Sequence, residues 1–154
     1  MITIEAWQPL ATKLVQQFEG CKLAAYPDPG TGGDPWTIGW GSTGPDIRKG
    51  TVWTQEQADA RFAEHLDHFG QGVAALVKTA PTTAGQFAAL VSFAYNCGLG
   101  SLKTSTLLRM HLEGDYAGAV GQFARWNRAG GKVLPGLTRR RAAEAKLYQR
   151  KGLP

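Results

Sequence analysis

Glu19, Asp28, Thr37 and Gly41 fall within one stretch, FEGCKLAAYPDPGTGGDPWTIGWG, that breaks local rules a plain core has no reason to break. Glu19 follows Trp7, Leu10, Leu14, Val15 and Phe18, whose helical period predicts an amphipathic helix that Gly20 stops. A carboxylate in that last turn opposes the macrodipole by a few tenths to about 1 kcal/mol, where Lys or Arg would have been stabilising. The field there favours a protonated carboxyl, and burial against Phe18 or Trp36 would favour it further, which is how a general acid is made. Nine residues on, Asp28 sits between Pro27 and Pro29, on stiff backbone held out of the α region. In WTIGWG, Trp36, Ile38 and Trp40 alternate with Thr37, Gly39 and Gly41, the period of a strand, so Thr37 points away from the tryptophans. The glycines on either side of Trp40 leave backbone bare, which marks Gly41 as a place of close ligand approach.

Taken singly these residues have plainer readings: two acids on a surface, one strand threonine, tryptophans in a core. Their order and spacing, however, resemble a known family. Glu19 in FEG, Asp28 closing AYPD and Thr37 in TIGWG are similar to the Glu, Asp, Thr catalytic set of the bacteriophage-type lysozymes, glycoside hydrolase family 24. ALVSFAYNCG, STLLRMHLEGDYAGAVGQFARW and AGGKVLPGLTRRRAAE resemble the same family's C-terminal lobe, so the likeness covers nearly the whole chain. It implies an endolysin, an N-acetylmuramidase that hydrolyses with inversion the β-1,4 bond between N-acetylmuramic acid and N-acetylglucosamine in peptidoglycan and so lyses the host. In that reading Glu19 protonates the glycosidic oxygen, Asp28 stays ionised to stabilise the sugar's charge or orient water, and Thr37 helps hold the water. No cofactor is implied. The resemblance further implies a glycan bound in a cleft between two lobes, with Tyr95 and Gln122 facing it. Two departures stand out: Ser42 replaces a histidine that many relatives carry after the last glycine of this motif, and TGGDP lengthens the loop between Asp28 and Thr37.

The elements that must position these residues read as α+β: a small N-terminal lobe with a short antiparallel sheet, a long linking helix, and an all-helical C-terminal lobe. As one lysozyme domain over 1–154, the catalytic lobe takes about 14–53, the linking helix about 54–78, and the helical lobe about 80–154 with the N-terminal helix packed against it. GTGGDP is a turn, GSTGPDIRKGT a loop, and TVW a short third strand. Thr54 with Gln57 forms a capping box, after which Ala58, Phe62, Leu66, Phe69, Val73, Leu76 and Val77 keep one apolar stripe that Gly70 and Gly72 weaken towards a bend. Thr82 or Thr83 caps a helix through Phe87, Leu90, Val91 and Ala94 that Asn96 and Gly98 end. Helices follow from about Ser105 to Leu112, Tyr116 to Trp126 and Thr138 to Arg150, with NRAGGKVLPG as a glycine-rich loop.

The 154 residues carry a formal charge of +5, consistent with an anionic partner such as cell wall, lipid or nucleic acid, and equally with simple solubility. Arg139, Arg140, Arg141, Lys146, Arg150 and Lys151 against Glu144 make the last helix basic, either as a solvated face or as a patch drawn to an anionic wall. His65 and His68 beside Glu64 lack the zinc-protease order and read as a solvated helix face; Asp28 and Asp34 lack calcium spacing, so no metal is expected. Cys21 and Cys97 read as free thiols in a reducing cytoplasm. No apolar run has the length of a signal peptide or membrane span. The chain is therefore expected to be a monomer made in the host cytoplasm, without stable membrane insertion, reaching peptidoglycan only after a separate pore-forming protein or cell damage opens the way. Three other functions stay open: a wall-binding module that does not cut, a nucleic-acid-binding protein, for which no motif speaks, and a lytic transglycosylase giving anhydro sugars.

Overall fold

The computed structural model describes residues 2–150, which divide into two compact units, 16–67 and a second made of the N-terminal residues to 15 together with 68 onwards. Two helices run through the boundaries, α1 (Ile4–Glu19) and α2 (Gln55–Val77).

In the 16–67 unit, β1 (Lys22–Tyr26) pairs antiparallel with β2 (Thr37–Gly39), Lys22 opposite Gly39 and Tyr26 opposite Thr37, with an irregularity between the two pairs. The expected third strand is a single bridge, Ala24 to Val52, flanked by Ala25 N–H to Thr51 O at 2.9 Å and Trp53 N–H to Leu23 O at 2.9 Å. β2 stops earlier than the alternation predicts. Gly39 and Gly41 take φ of 64° and 86°, the left-handed region, so the chain reverses, and Ile38 and Ser42 exchange backbone hydrogen bonds of 3.0 and 2.8 Å. The tryptophans are not the core of this strand: Ile38 is fully buried, while Trp36 and Trp40 are only half-buried. Thr54 and Gln57 make the expected capping box at the start of α2, with Gln57 N–H donating to Thr54 Oγ1 and Thr54 N–H to Gln57 Oε1.

The second unit is built around α3 (Ala84–Cys97), whose residues from Gly85 to Ala94 are all buried, as an all-round apolar helix must be. Thr83, not Thr82, caps it, reciprocally with Gln86. Gly85 lets α3 approach α7 (Pro135–Gln149) until a Cβ there would meet Leu147 O at 2.7 Å. Between them come α4 (Leu99–Lys103), α5 (Thr106–Leu112) and α6 (Tyr116–Gln122), the last followed by a 3-10 turn at Phe123–Arg125. α4 falls where no helix is predicted, because GLGSLK is too short and too glycine-rich to show a period. Gly70 and Gly72 do not interrupt α2; they lie beneath the Trp7 ring and the Leu99 side chain, where a Cβ would overlap. They are sites of close packing, and Trp7 also stacks on Phe87 at 5.0 Å.

Two further expectations are corrected here. The C-terminal region is not all helical: NRAGGKVLPG holds a hairpin of β3 (Arg128–Ala129) and β4 (Lys132–Val133), turned by Gly130 and Gly131 at φ 58° and 80°, the pair of left-handed residues a tight hairpin turn demands. Nor is the last helix a uniformly solvated basic face. Arg140 and Arg141 are buried around Glu144, whose Oε2 accepts Arg141 Nη2–H at 3.0 Å, Arg140 Nε–H at 3.4 Å and the Ser92 hydroxyl at 2.6 Å, while Arg141 Nε pairs ionically with its Oε1 at 2.7 Å. Of the remaining cations, Arg139, Lys146 and Arg150 are exposed, and Lys151 lies outside the described residues. Cys21 and Cys97 are both free thiols.

Candidate active site

Gly20 ends α1 in the left-handed conformation, φ 66°, leaving Glu19 as the helix's last residue, half-buried and with no basic side chain in its turn. The carboxylate of Glu19 lies over Gly41, so closely that a Cβ at Gly41 would overlap its Oε1. Gly41 is thus needed twice, for its left-handed φ and for the empty space above its Cα. The bare backbone expected to meet a ligand meets the Glu19 carboxylate.

Tyr26, at the end of β1, sits within the field of Glu19. Burial pushes its phenol above the usual range and the Glu19 charge pushes it further the same way. Thr37 faces Tyr26 across the ladder and is half-buried, so Glu19, Gly41, Tyr26 and Thr37 form a connected group. Tyr26 belongs to the AYPD motif, yet nothing in the sequence singled it out; its position opposite Thr37 is fixed by register alone.

Asp28 follows two residues after Tyr26, half-buried, and its backbone is fixed by more than its two prolines. Its N–H donates to Gly33 O at 2.9 Å, and its carbonyl accepts Gly32 N–H at 2.8 Å and Thr31 N–H at 3.2 Å. The loop is tightened again by Thr31, whose hydroxyl donates to Asp34 O at 2.7 Å and accepts Gly33 N–H at 3.2 Å. TGGDP is therefore a closed, internally bonded turn that fixes the Asp28 backbone.

The remaining predicted contacts belong to the second unit. Tyr95 is half-buried with its ring 5.4 Å from that of Phe69, and Gln122 is half-buried at the end of α6. His65 departs from the solvated-face expectation: it is partly buried, its Nδ1 3.5 Å from the hydroxyl of Ser42, itself 1% exposed. Ser42, the residue after Gly41, thus meets a histidine from α2. His68 is exposed. Among the described residues no group of three or more His, Cys, Asp and Glu is placed to hold a metal ion, and no helix is long and apolar enough to cross a membrane.

A carboxyl seated at a helix end, a second carboxyl on a bonded loop and a strand hydroxyl are the groups that acid catalysis with charge stabilisation or water activation requires. Known proteins share this fold. A family model described as phage lysozyme matches residues 16–144. An endolysin of Bacillus phage B103 is 42% identical over 135 residues, which are 88% of this chain and 51% of that protein, so the chain spans about half its length. The muramidase domain of SpmX from Asticaccaulis excentricus has the same fold at a TM-score of 0.80 and 36% identity, over 92% of this chain and 95% of that one. An endolysin from Escherichia coli O157:H7 phage FAHEc1 gives 0.81 and 32%, over 94% and 93%. With a family model running through both units and relatives of this identity along nearly the full sequence, the chain belongs to the phage lysozyme family.

Proposed function

We propose that the chain is a peptidoglycan hydrolase, an N-acetylmuramidase that cuts the β-1,4 bond between N-acetylmuramic acid and N-acetylglucosamine. The observation that carries this reading is the seat of Glu19 on Gly41, in a chain whose relatives are named endolysins and muramidases. Glu19 is the general acid that protonates the departing glycosidic oxygen. Asp28 directs a water, or offsets the positive charge on the sugar, and Thr37 holds that water; attack from the opposite face gives inversion. Tyr95 and Gln122 are the proposed glycan contacts, whereas Gly41, whose open face the Glu19 carboxylate covers, serves as the seat of the acid. In its biological setting the protein acts as a monomeric endolysin, made in the host cytoplasm and admitted to the wall by a separate pore-forming protein.

The test is clearing of purified peptidoglycan by wild type and by Glu19→Gln at matched folding, with mass spectrometry of the released sugars. Clearing lost in the variant, with reducing N-acetylmuramic acid ends from wild type, is the expected result. Anhydro ends would assign a lytic transglycosylase, and a folded wild type that binds wall without clearing it would assign a binding module.

A further inference from the structure

The turn that seats Glu19 does not stand alone. Residues 38–42 reverse the chain between β2 and the loop that follows, and Trp40 lies at the apex with Gly39 and Gly41 on either side. Gly39 is buried, with a Cβ position 3.1 Å from the Trp53 ring and 3.4 Å from Ala58 Cβ, so this side of the turn is pressed against the start of α2. The Trp40 ring meets Phe62 edge-on, with centroids 6.2 Å apart. Its indole N–H donates to Asp59 Oδ1 at 2.8 Å. The same oxygen accepts Gln55 Nε2–H at 2.9 Å, and Ser42 reaches His65 one helical turn beyond Phe62. Gln55, Ala58, Asp59, Phe62 and His65 are spaced three and four apart and so form one face of α2, directed at this turn.

Within that face Asp59 is the charged partner of Trp40. Two glycines with left-handed φ make the turn easy to form and equally easy to deform, since neither has a Cβ to limit it. The Ile38–Ser42 backbone pair closes the base of the turn, and a charge-assisted hydrogen bond to its apex ties it to α2. The Asp59 carboxyl is correspondingly held below its usual range, first by the Trp40 N–H and then by Gln55.

We propose that Asp59 is a positioning residue for the general acid: by fastening the Trp40 indole to α2 it holds the 38–42 turn, and with it the Gly41 seat, beneath the Glu19 carboxylate. This rests on Glu19 being the proton donor. A seat displaced by a fraction of an ångström misaligns the acid in the transition state while leaving glycan affinity untouched, so the effect belongs in kcat and not in KM.

The experiment measures kcat and KM on soluble peptidoglycan fragments, with Tm, for wild type, Asp59→Ala, Asp59→Asn, Trp40→Phe, the Asp59→Ala/Trp40→Phe double variant and Glu19→Gln. Asp59→Ala and Trp40→Phe are each expected to lower kcat about tenfold at unchanged KM, and the double variant to lose no more than either alone. Asp59→Asn keeps an acceptor oxygen for the indole and should recover most of the lost rate; it also serves if Asp59→Ala does not fold. Unchanged kcat in both Asp59→Ala and Trp40→Phe, additive losses in the double variant, or a loss confined to KM would overturn the positioning role, the last by making Trp40 a direct glycan contact. Glu19→Gln separates the two claims: if it retains the wild-type rate, the assignment of the acid fails and the positioning role falls with it, whereas its loss beside unaffected Asp59 variants removes the positioning role alone.

Discussion

In the helical unit, polar side chains are enclosed and given fixed partners; in the 16–67 unit, the residues proposed for chemistry stay half-buried on glycine turns and closed loops. Glu144 shows the first arrangement. Burial pushes its carboxyl upward against the pull of Arg141, Ser92 and Arg140, and the cluster continues through Arg141 Nη1 to Cys97 Sγ at 2.6 Å. His111 shows it again. The Thr82 hydroxyl donates to Ala80 O at 2.9 Å, so its oxygen accepts His111 Nε2–H at 2.8 Å, and Nδ1 must then accept the Tyr148 O–H at 2.6 Å. That assignment is complete only for the neutral ring, and burial holds the imidazole down at about 4. Glu19 and Asp28 are placed differently: their backbones are held by a helix end and a bonded loop, while the residues themselves are half-buried rather than enclosed. Enclosure fixes one protonation state, which suits a core; a reacting acid needs rigid backbone with an accessible head.

The contrast predicts effects of graded size. Glu144→Ala leaves two buried guanidinium groups without their carboxylate and should cost about 3–5 kcal/mol in chemical denaturation, with the specific activity of the folded fraction retained. A loss of less than about 1 kcal/mol would mean that the cluster is solvated after all.

His111 makes stability depend on pH. Its folded pKa lies below the unfolded value, so the unfolded chain takes up the proton first, and stability present above about pH 6.5 drains away as pH falls towards 4. The loss is at most about 3 kcal/mol and should be reduced in His111→Gln, compared by urea titration at several pH values.

Gly41→Ala places a methyl group where the Glu19 carboxylate lies and strains a left-handed φ. Activity is expected to fall by about tenfold to a hundredfold, beyond anything explained by a stability loss of about 1–2 kcal/mol. Last in size, Thr54→Ala removes one half of the α2 capping box and should cost about 1 kcal/mol in urea titration without changing the rate of the folded protein.

Helix ends and caps were the most legible parts of the fold, since Gly20, Thr54 with Gln57, and Gly98 act through local chemistry that a sequence displays. The backbone settings of the two proposed acids are legible for the same reason: a glutamate in the last turn of a helix and an aspartate between prolines are local anomalies. What was missed depends on partners far along the chain. Arg140 and Arg141 look like any basic helix face until Ser92 and Glu144 enclose them, and the period of α7 gives no warning because its buried residues are charged except for Tyr148. Alternation offers Trp36 and Trp40, one or both, as core, but two left-handed glycines end the strand and Trp40 gives its N–H to Asp59. The β3–β4 hairpin was hidden by its length: two residues per strand leave no period to detect.

The central claim is that Glu19, seated on Gly41, is the general acid. The measurement that reaches it most directly is the initial clearing rate of purified peptidoglycan by Glu19→Gln relative to wild type, with both proteins shown to share one Tm. A rate reduced by at least about a hundredfold, with unchanged pelleting onto the wall, is the result expected of a missing proton donor. A folded Glu19→Gln that clears the wall at the wild-type rate would contradict it.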